Sequence, residues 1–109
     1  MDNPDHKEVR SQANFPDEST LLNISELFGM LADVTRLKIV MTLKNSPLCV
    51  QDLAAAVGMS ASAVSHQLRL LKAMNLVRFK KAGKMKFYSL DDSHIDQLLN
   101  IANEHVDEE

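Results

Sequence analysis

Asp92-Ser93-His94 and, after ten further residues, His105-Val106-Asp107-Glu108 place two carboxylates and two imidazoles near the C-terminal end of the sequence. Asp92, His94, His105 and Glu108 make a suitable set of four donors for a tetrahedral divalent metal, with zinc foremost because imidazole suits it and carboxylates balance its charge. On one helix His94 and His105 stand eleven positions apart, close to three full turns, and therefore share a face. Their axial separation is then roughly 16 Å, eleven rises of about 1.5 Å each. Zinc–nitrogen bonds of about 2 Å cannot span it. Two such helices, antiparallel about a twofold axis, bring the Asp92/His94 end of one chain to the His105/Glu108 end of the other and create two equivalent sites. A plainer description also fits these residues: a helix N-cap at Asp92, two surface histidines and an acidic, frayed end.

The elements that would position these donors are legible from apolar spacing and punctuation. Residues 1–17 form a polar tail without apolar periodicity, containing Pro4 and Pro16, and are expected to be flexible. From about Ser19, Leu22, Ile24, Leu27, Phe28 and Leu31 recur at helical spacing; Leu37, Val40, Met41 and Leu43 carry a second helix toward Ser46-Pro47. A short helix over about 50–57 ends at Gly58, a residue suited to a left-handed C-cap. Ser60 then caps a helix that runs to about Asn75. Its apolar side holds Val64, Leu68 and Leu71, and its opposite side Ser62, Ser65, His66 and Arg69. Ala54, Gly58 and Val64 have the spacing of a helix-turn-helix, whose recognition helix is 60–75.

Val77 and Phe79, then Met85 and Phe87, alternate with Arg78, Lys80, Lys84 and Lys86 around Lys81-Ala82-Gly83-Lys84, which predicts a β-hairpin with a basic tip. A hairpin directly after a helix-turn-helix is a wing whose lysines can reach phosphates beside the groove. Tyr88 is expected to pack in the core. The last helix carries an apolar stripe of Ile95, Leu98, Leu99, Ala102 and Val106, and much of it is assigned, with the first helix, to a dimer interface. The fold class is therefore mainly α with a small β-hairpin: a dimeric winged helix-turn-helix over residues 18–109, ending in a dimerisation and metal-binding helix.

Charge divides along the chain. Residues 53–90 contain no Asp or Glu but seven Lys and Arg, whereas 91–109 hold seven Asp and Glu and no Lys or Arg. The first block suits phosphates and the second cations. At 109 residues and 45% apolar content the chain is one domain, and a domain this small gains security from a shared core. No apolar run reaches the ~20 residues of a membrane span, the N-terminus lacks signal-peptide character, and the single cysteine, Cys49, forms no intrachain disulfide. A cytoplasmic protein with no membrane partner and no small organic substrate is expected. Catalysis is disfavoured, because four protein ligands leave no open position for activated water and no second constellation supplies a nucleophile.

The segments Cys49-Val50-Gln51-Asp52-Leu53-Ala54 and Ser60-Ala61-Ser62-Ala63-Val64-Ser65-His66-Gln67-Leu68-Arg69, with the basic wing and the spaced C-terminal donors, resemble the ArsR/SmtB family of metal-responsive repressors over about residues 20–108. The resemblance implies an apo homodimer on twofold-symmetric double-stranded operator DNA that leaves it when metal binds, derepressing metal efflux or sequestration genes. It matches Asp92, His94, His105 and Glu108 to the family's intersubunit zinc site. Zn(II) is the expected effector, with Co(II) and Ni(II) as alternatives. Ser60, Ser62, Ser65, His66, Gln67, Arg69, Lys81, Lys84 and Lys86 are the expected DNA contacts. Paired thiolates, as in the family's soft-metal sensors, are missing, since Cys49 is followed two positions later by Gln51. Cys49 and Asp52 match two positions of another zinc site, to which His6 is the one tail histidine available. The alternatives are a winged-helix regulator without metal response, or one that responds to oxidation through Cys49.

Overall fold

The structure, a computed structural model, describes residues 14–108. Five helices and one hairpin follow in order: α1 Glu18–Leu31, α2 Val34–Leu43, α3 Val50–Val57, α4 Ala61–Ala73, β1 Val77–Ala82, β2 Met85–Leu90 and α5 Ser93–Asp107. Each helix start has a local cause. Asp17, Asp33, Ser60 and Asp92 stand in extended conformation and accept hydrogen bonds from the first turns of α1, α2, α4 and α5, supplying acceptors to N–H groups that have none inside a helix. Gly58 closes α3 at φ 71°, a left-handed conformation that a side chain at this position would strain.

The core is built where α2, α3 and α4 meet the hairpin. Ile39, Val40, Leu53, Val64, Leu68, Leu71, Leu76 and Val77 are the largest fully buried side chains. Tyr88 joins them, packed on Phe79 at 5.4 Å between ring centroids, as expected. β1 and β2 pair antiparallel from Val77↔Leu90 to Ala82↔Met85, leaving Gly83 and Lys84 as a two-residue loop with Gly83 at φ 64°. Leu48 adds a short third edge: its N–H donates to Tyr88 O at 3.0 Å and Tyr88 N–H donates back at 2.8 Å.

Register adds one detail the sequence left open, and one expectation changes. Register puts Phe79 opposite Tyr88 and Lys81 opposite Lys86, so Met85 and Phe87 lie on the other face of the hairpin from Val77 and Phe79. The apolar stripe of α5 is also divided. Leu99 is buried and Ile95 and Leu98 pack on the domain's own core, while everything from Ile101 to Glu108 is exposed. Lys44, at the end of α2, holds the first half of α5 by donating to Asn100 and lying 3.9 Å from Asp96. The second half, with Ile101 and Val106 each more than 60% exposed, has no apolar cover among the described residues. α1 is similar: Leu31 alone is buried, and Leu22, Ile24 and Phe28 face outward.

Candidate metal centre and nucleic-acid interface

Asp92 serves two purposes at the start of α5. Its Oδ1 accepts from His94 N–H at 2.9 Å and Ile95 N–H at 3.3 Å, which is the capping role. Its Oδ2 lies 3.5 Å from His94 Nδ1, with the imidazole 84% and the carboxylate 50% exposed. Desolvation is the largest single influence on this carboxyl and pushes its pKa up. The hydrogen bonds from Ile95 and His94, with the charge of the His94 imidazole, outweigh it and hold the pKa below the ordinary carboxylate value. Asp92 is thus an anion with one oxygen committed to the helix and the other beside a nitrogen donor.

His105 and Glu108 lie at the opposite end of α5, in its last turn and at its C-cap, and both are exposed. The structure therefore brings Asp92 and His94 together and leaves His105 and Glu108 a helix length away. Among the described residues, no group of three or more His, Cys, Asp or Glu side chains within the chain is arranged to hold a metal. The donor chemistry fits zinc, and the separation fits a site shared by two copies rather than closed by one.

Cys49 and Asp52 sit at the start of α3. Cys49 occupies the N-cap position with no side-chain capping bond and is 4% exposed, whereas Asp52 is exposed. His6, the third member expected with them, lies outside the described residues.

On the nucleic-acid side, the first turn of α4 and the wing, about twenty residues apart in sequence, line one groove. Its volume is about 740 Å³, and Ser62, Ser65, Lys84 and Lys86 line it together with the start of α3, including Cys49 and the carboxylate of Asp52. His66 and Arg69 continue the exposed face of α4. Ser60 Oγ accepts from Ala63 N–H at 3.1 Å, so this hydroxyl caps the helix. Lys81 faces Lys86 directly across the strands, and Lys86 Nζ stands 4.6 Å from the Phe79 ring centroid, with Lys72 Nζ at 5.4 Å. Like charges opposed across a ladder repel. The ring face offers partial compensation, and an anion bound between them would offer more.

Gln67, expected to face DNA, lies on the flank of α4 toward α2, where its Oε1 accepts from Arg36 Nε at 3.0 Å. Sequence reasoning did not connect these two residues. Nor did it place Lys72 beside the wing, although that position, one turn after Leu68 on a helix whose end meets the hairpin, was available to it.

Residues 33–78, from the N-cap of α2 to the start of the wing, match the family described as bacterial regulatory protein, arsR family. A transcriptional repressor SmtB homolog from Synechocystis is 44% identical over 85 residues, covering 78% of this chain and 64% of that protein, so less than two thirds of it is spanned. A cadmium resistance transcriptional regulatory protein CadC homolog from Staphylococcus aureus is 40% identical over 85 residues, covering 77% of this chain and 70% of that one. In structure, the homodimeric winged helix-turn-helix DNA-binding domain of a possible ArsR-family transcriptional regulator from Mycobacterium bovis superposes with a TM-score of 0.79 at 25% identity, covering 89% of this chain and 92% of that one. Core, wing, recognition helix and the matched segment agree: the chain is a winged helix-turn-helix transcriptional regulator and belongs to the ArsR family.

Proposed function

We propose that this chain is a metal-sensing repressor that holds a twofold operator as an apo homodimer and releases it when Zn(II) binds between protomers. Each of two equivalent sites takes Asp92 and His94 from one protomer and His105 and Glu108 of the partner subunit. The observation that carries this reading is the placement of two exposed donor pairs at opposite ends of a helix whose second half is left uncovered by the described residues. A partner helix laid antiparallel would cover Ile101 and Val106 and, in the same arrangement, bring each donor pair to its complement. A divalent ion bound there would tie the two α5 helices together with N and O donors. That changes the spacing or stiffness of two recognition helices that must enter successive major grooves.

DNA contact falls to Ser62, Ser65, His66 and Arg69 for base edges and phosphates, with Ser60 at the cap and Lys81, Lys84 and Lys86 on phosphates. The regulated genes are those of metal efflux or sequestration, and the donor set leaves Co(II) and Ni(II) as competing ligands. The CadC homolog's role in cadmium resistance supports a metal signal. The lone thiol argues for a harder ion than cadmium. Its burial argues against oxidation at Cys49 as the signal.

Fluorescence anisotropy on an operator selected from random duplexes tests the proposal. Zinc is expected to release the wild-type protein and to leave His94→Ala and His105→Ala bound. Release of both variants by zinc would overturn the site, and release by Co(II) or Ni(II) alone would reassign the effector.

A further inference from the structure

Arg36 stands where three elements meet. It is in the first turn of α2, where its backbone N–H donates to Asp33 Oδ2 at 2.9 Å, so its Cα is fixed by the helix cap. From there its guanidinium reaches two ways. Nε donates to Gln67 Oε1 on α4 at 3.0 Å, and Nη1 donates to the Met30 carbonyl in the last turn of α1 at 3.4 Å. Both residues of the side-chain pair are half-buried.

Each contact has a physical cause. The Met30 carbonyl is among the last four of α1, which have no acceptor role inside the helix, and a cation at a helix C-terminus is favoured by the helix dipole. Guanidinium is planar, so Nε and Nη1 point in fixed relative directions, and holding two acceptors at once fixes the orientation of α1 relative to α4. Both acceptors are neutral, so neither cancels the charge that keeps Arg36 hydrogen-bonded. Gln67 lies between His66 and Leu68, that is, between the exposed face of α4 and its buried anchor. Rolling α4 about its axis to re-aim His66 and Arg69 would break the Arg36–Gln67 bond. α1 in turn carries Leu22 and Phe28, the exposed apolar face that a partner protomer would cover.

We infer that Arg36 is a positioning residue for operator recognition: it locks the recognition helix, through Gln67, to α1, whose exposed apolar face a partner protomer would cover, so that the dimer axis dictates the spacing of the two reading heads. The inference rests on the chain acting as a dimeric operator-binding protein. It assigns Gln67 to holding α4 rather than to reading bases.

The test uses the full-length protein and two duplexes, the selected operator and the same operator with one base pair inserted between half-sites. Arg36→Lys keeps the charge but lacks the planar fork; Gln67→Leu keeps the volume but lacks the acceptor. Wild type is expected to prefer the native spacing. Each variant should lose about tenfold of that preference, the double variant should lose no more than either single, and dimerisation and affinity for an isolated half-site should stay unchanged. A uniform loss of stability would lower affinity for both duplexes alike, so the ratio isolates positioning. Retained spacing preference in Gln67→Leu, or additive losses in the double variant, would overturn the inference even if Arg36→Lys folded poorly. A Gln67→Leu variant that changed base preference at one position, with Arg36→Lys unaffected, would return Gln67 to direct readout. A wild-type protein that selected no duplex would instead refute the operator-binding reading itself.

Discussion

Asp92 caps α5, and in the proposed site the same side chain would also bind metal. Asn is as good an N-cap as Asp, because the cap needs only an acceptor oxygen; a metal ligand needs the charge as well. Asp92→Asn should therefore leave apo thermal stability near wild type, whereas Asp92→Ala should lower the melting temperature. Both should weaken zinc binding by more than the roughly 10–100-fold that loss of an outer-shell partner typically costs. Equal zinc affinity in wild type and Asp92→Asn would remove Asp92 from the ligand set and leave it a cap alone. The pH dependence follows from the lowered pKa of this carboxyl. A group whose folded pKa lies below its unfolded one contributes stability that is complete above the unfolded value and is lost as pH falls through the folded value. Asp92 thus remains an anion until the solution is more acid than an ordinary carboxyl requires. Imidazoles must be neutral to bind metal, so acidification through the imidazole range should weaken zinc binding first, with Asp92 still ionised. Zinc titrations at descending pH check this, and affinity that held constant down to about pH 4 would exclude the histidines as ligands.

At the scale of elements, the wing is expected to trade stability for binding. Lys81 and Lys86 face each other with no Asp or Glu anywhere in residues 53–90 to separate them. Lys81→Glu should stabilise the free protein at low salt by about 0.2–1 kcal/mol, since an opposite-charge cross-strand pair replaces a like-charge one, and should sharply weaken operator binding. Lys81→Ala should reduce the slope of log affinity against log salt by about one. A slope unchanged in Lys81→Ala would take this lysine off the phosphates. The same hairpin shows what was legible in the sequence. Its position, its basic character and Gly83 in its turn could all be read, because turn residues and alternation are local signals. Which residues share a face could not, because that depends on loop length: a two-residue loop pairs odd-numbered positions with even-numbered ones and sends Met85 and Phe87 away from Phe79. Helix starts at Asp17, Asp33, Ser60 and Asp92 are likewise local. The Arg36–Gln67 bond spans 31 positions and the Leu48–Tyr88 bridge 40, and no periodicity within either segment encodes a partner so distant. The candidate donors Asp92, His94, His105 and Glu108 stood out as a set because their types and spacing are local, and the helix expected to carry them is the one observed from Ser93 to Asp107.

For the whole molecule, what matters is whether the proposed metal site belongs to one chain or two. In the proposed site each chain carries both halves on α5, and a continuous helix from Ser93 to Asp107 keeps them apart. A dimer with a twofold axis must then contain two sites, each crossing the interface in the opposite sense. This makes complementation decisive. A homodimer of His94→Ala has no intact site, because both sites lack that ligand; a homodimer of His105→Ala has none for the same reason. In a mixed dimer the two substitutions fall in one site, and the other keeps Asp92 and His94 from the His105→Ala protomer together with His105 and Glu108 from the His94→Ala protomer. Unfolding the two variants together and refolding them should therefore restore zinc binding that neither shows alone. Random re-association places about half of the chains in mixed dimers with one intact site in two, so the sample should regain about a quarter of the wild-type zinc capacity. Isothermal titration or a chelator competition reads this number directly, and sedimentation confirms the dimer. Sites closed within one chain would gain nothing from mixing, because each chain would still lack one of its own ligands; a mixture as inert as its components would therefore exclude the shared site while leaving the winged helix and its operator binding untouched.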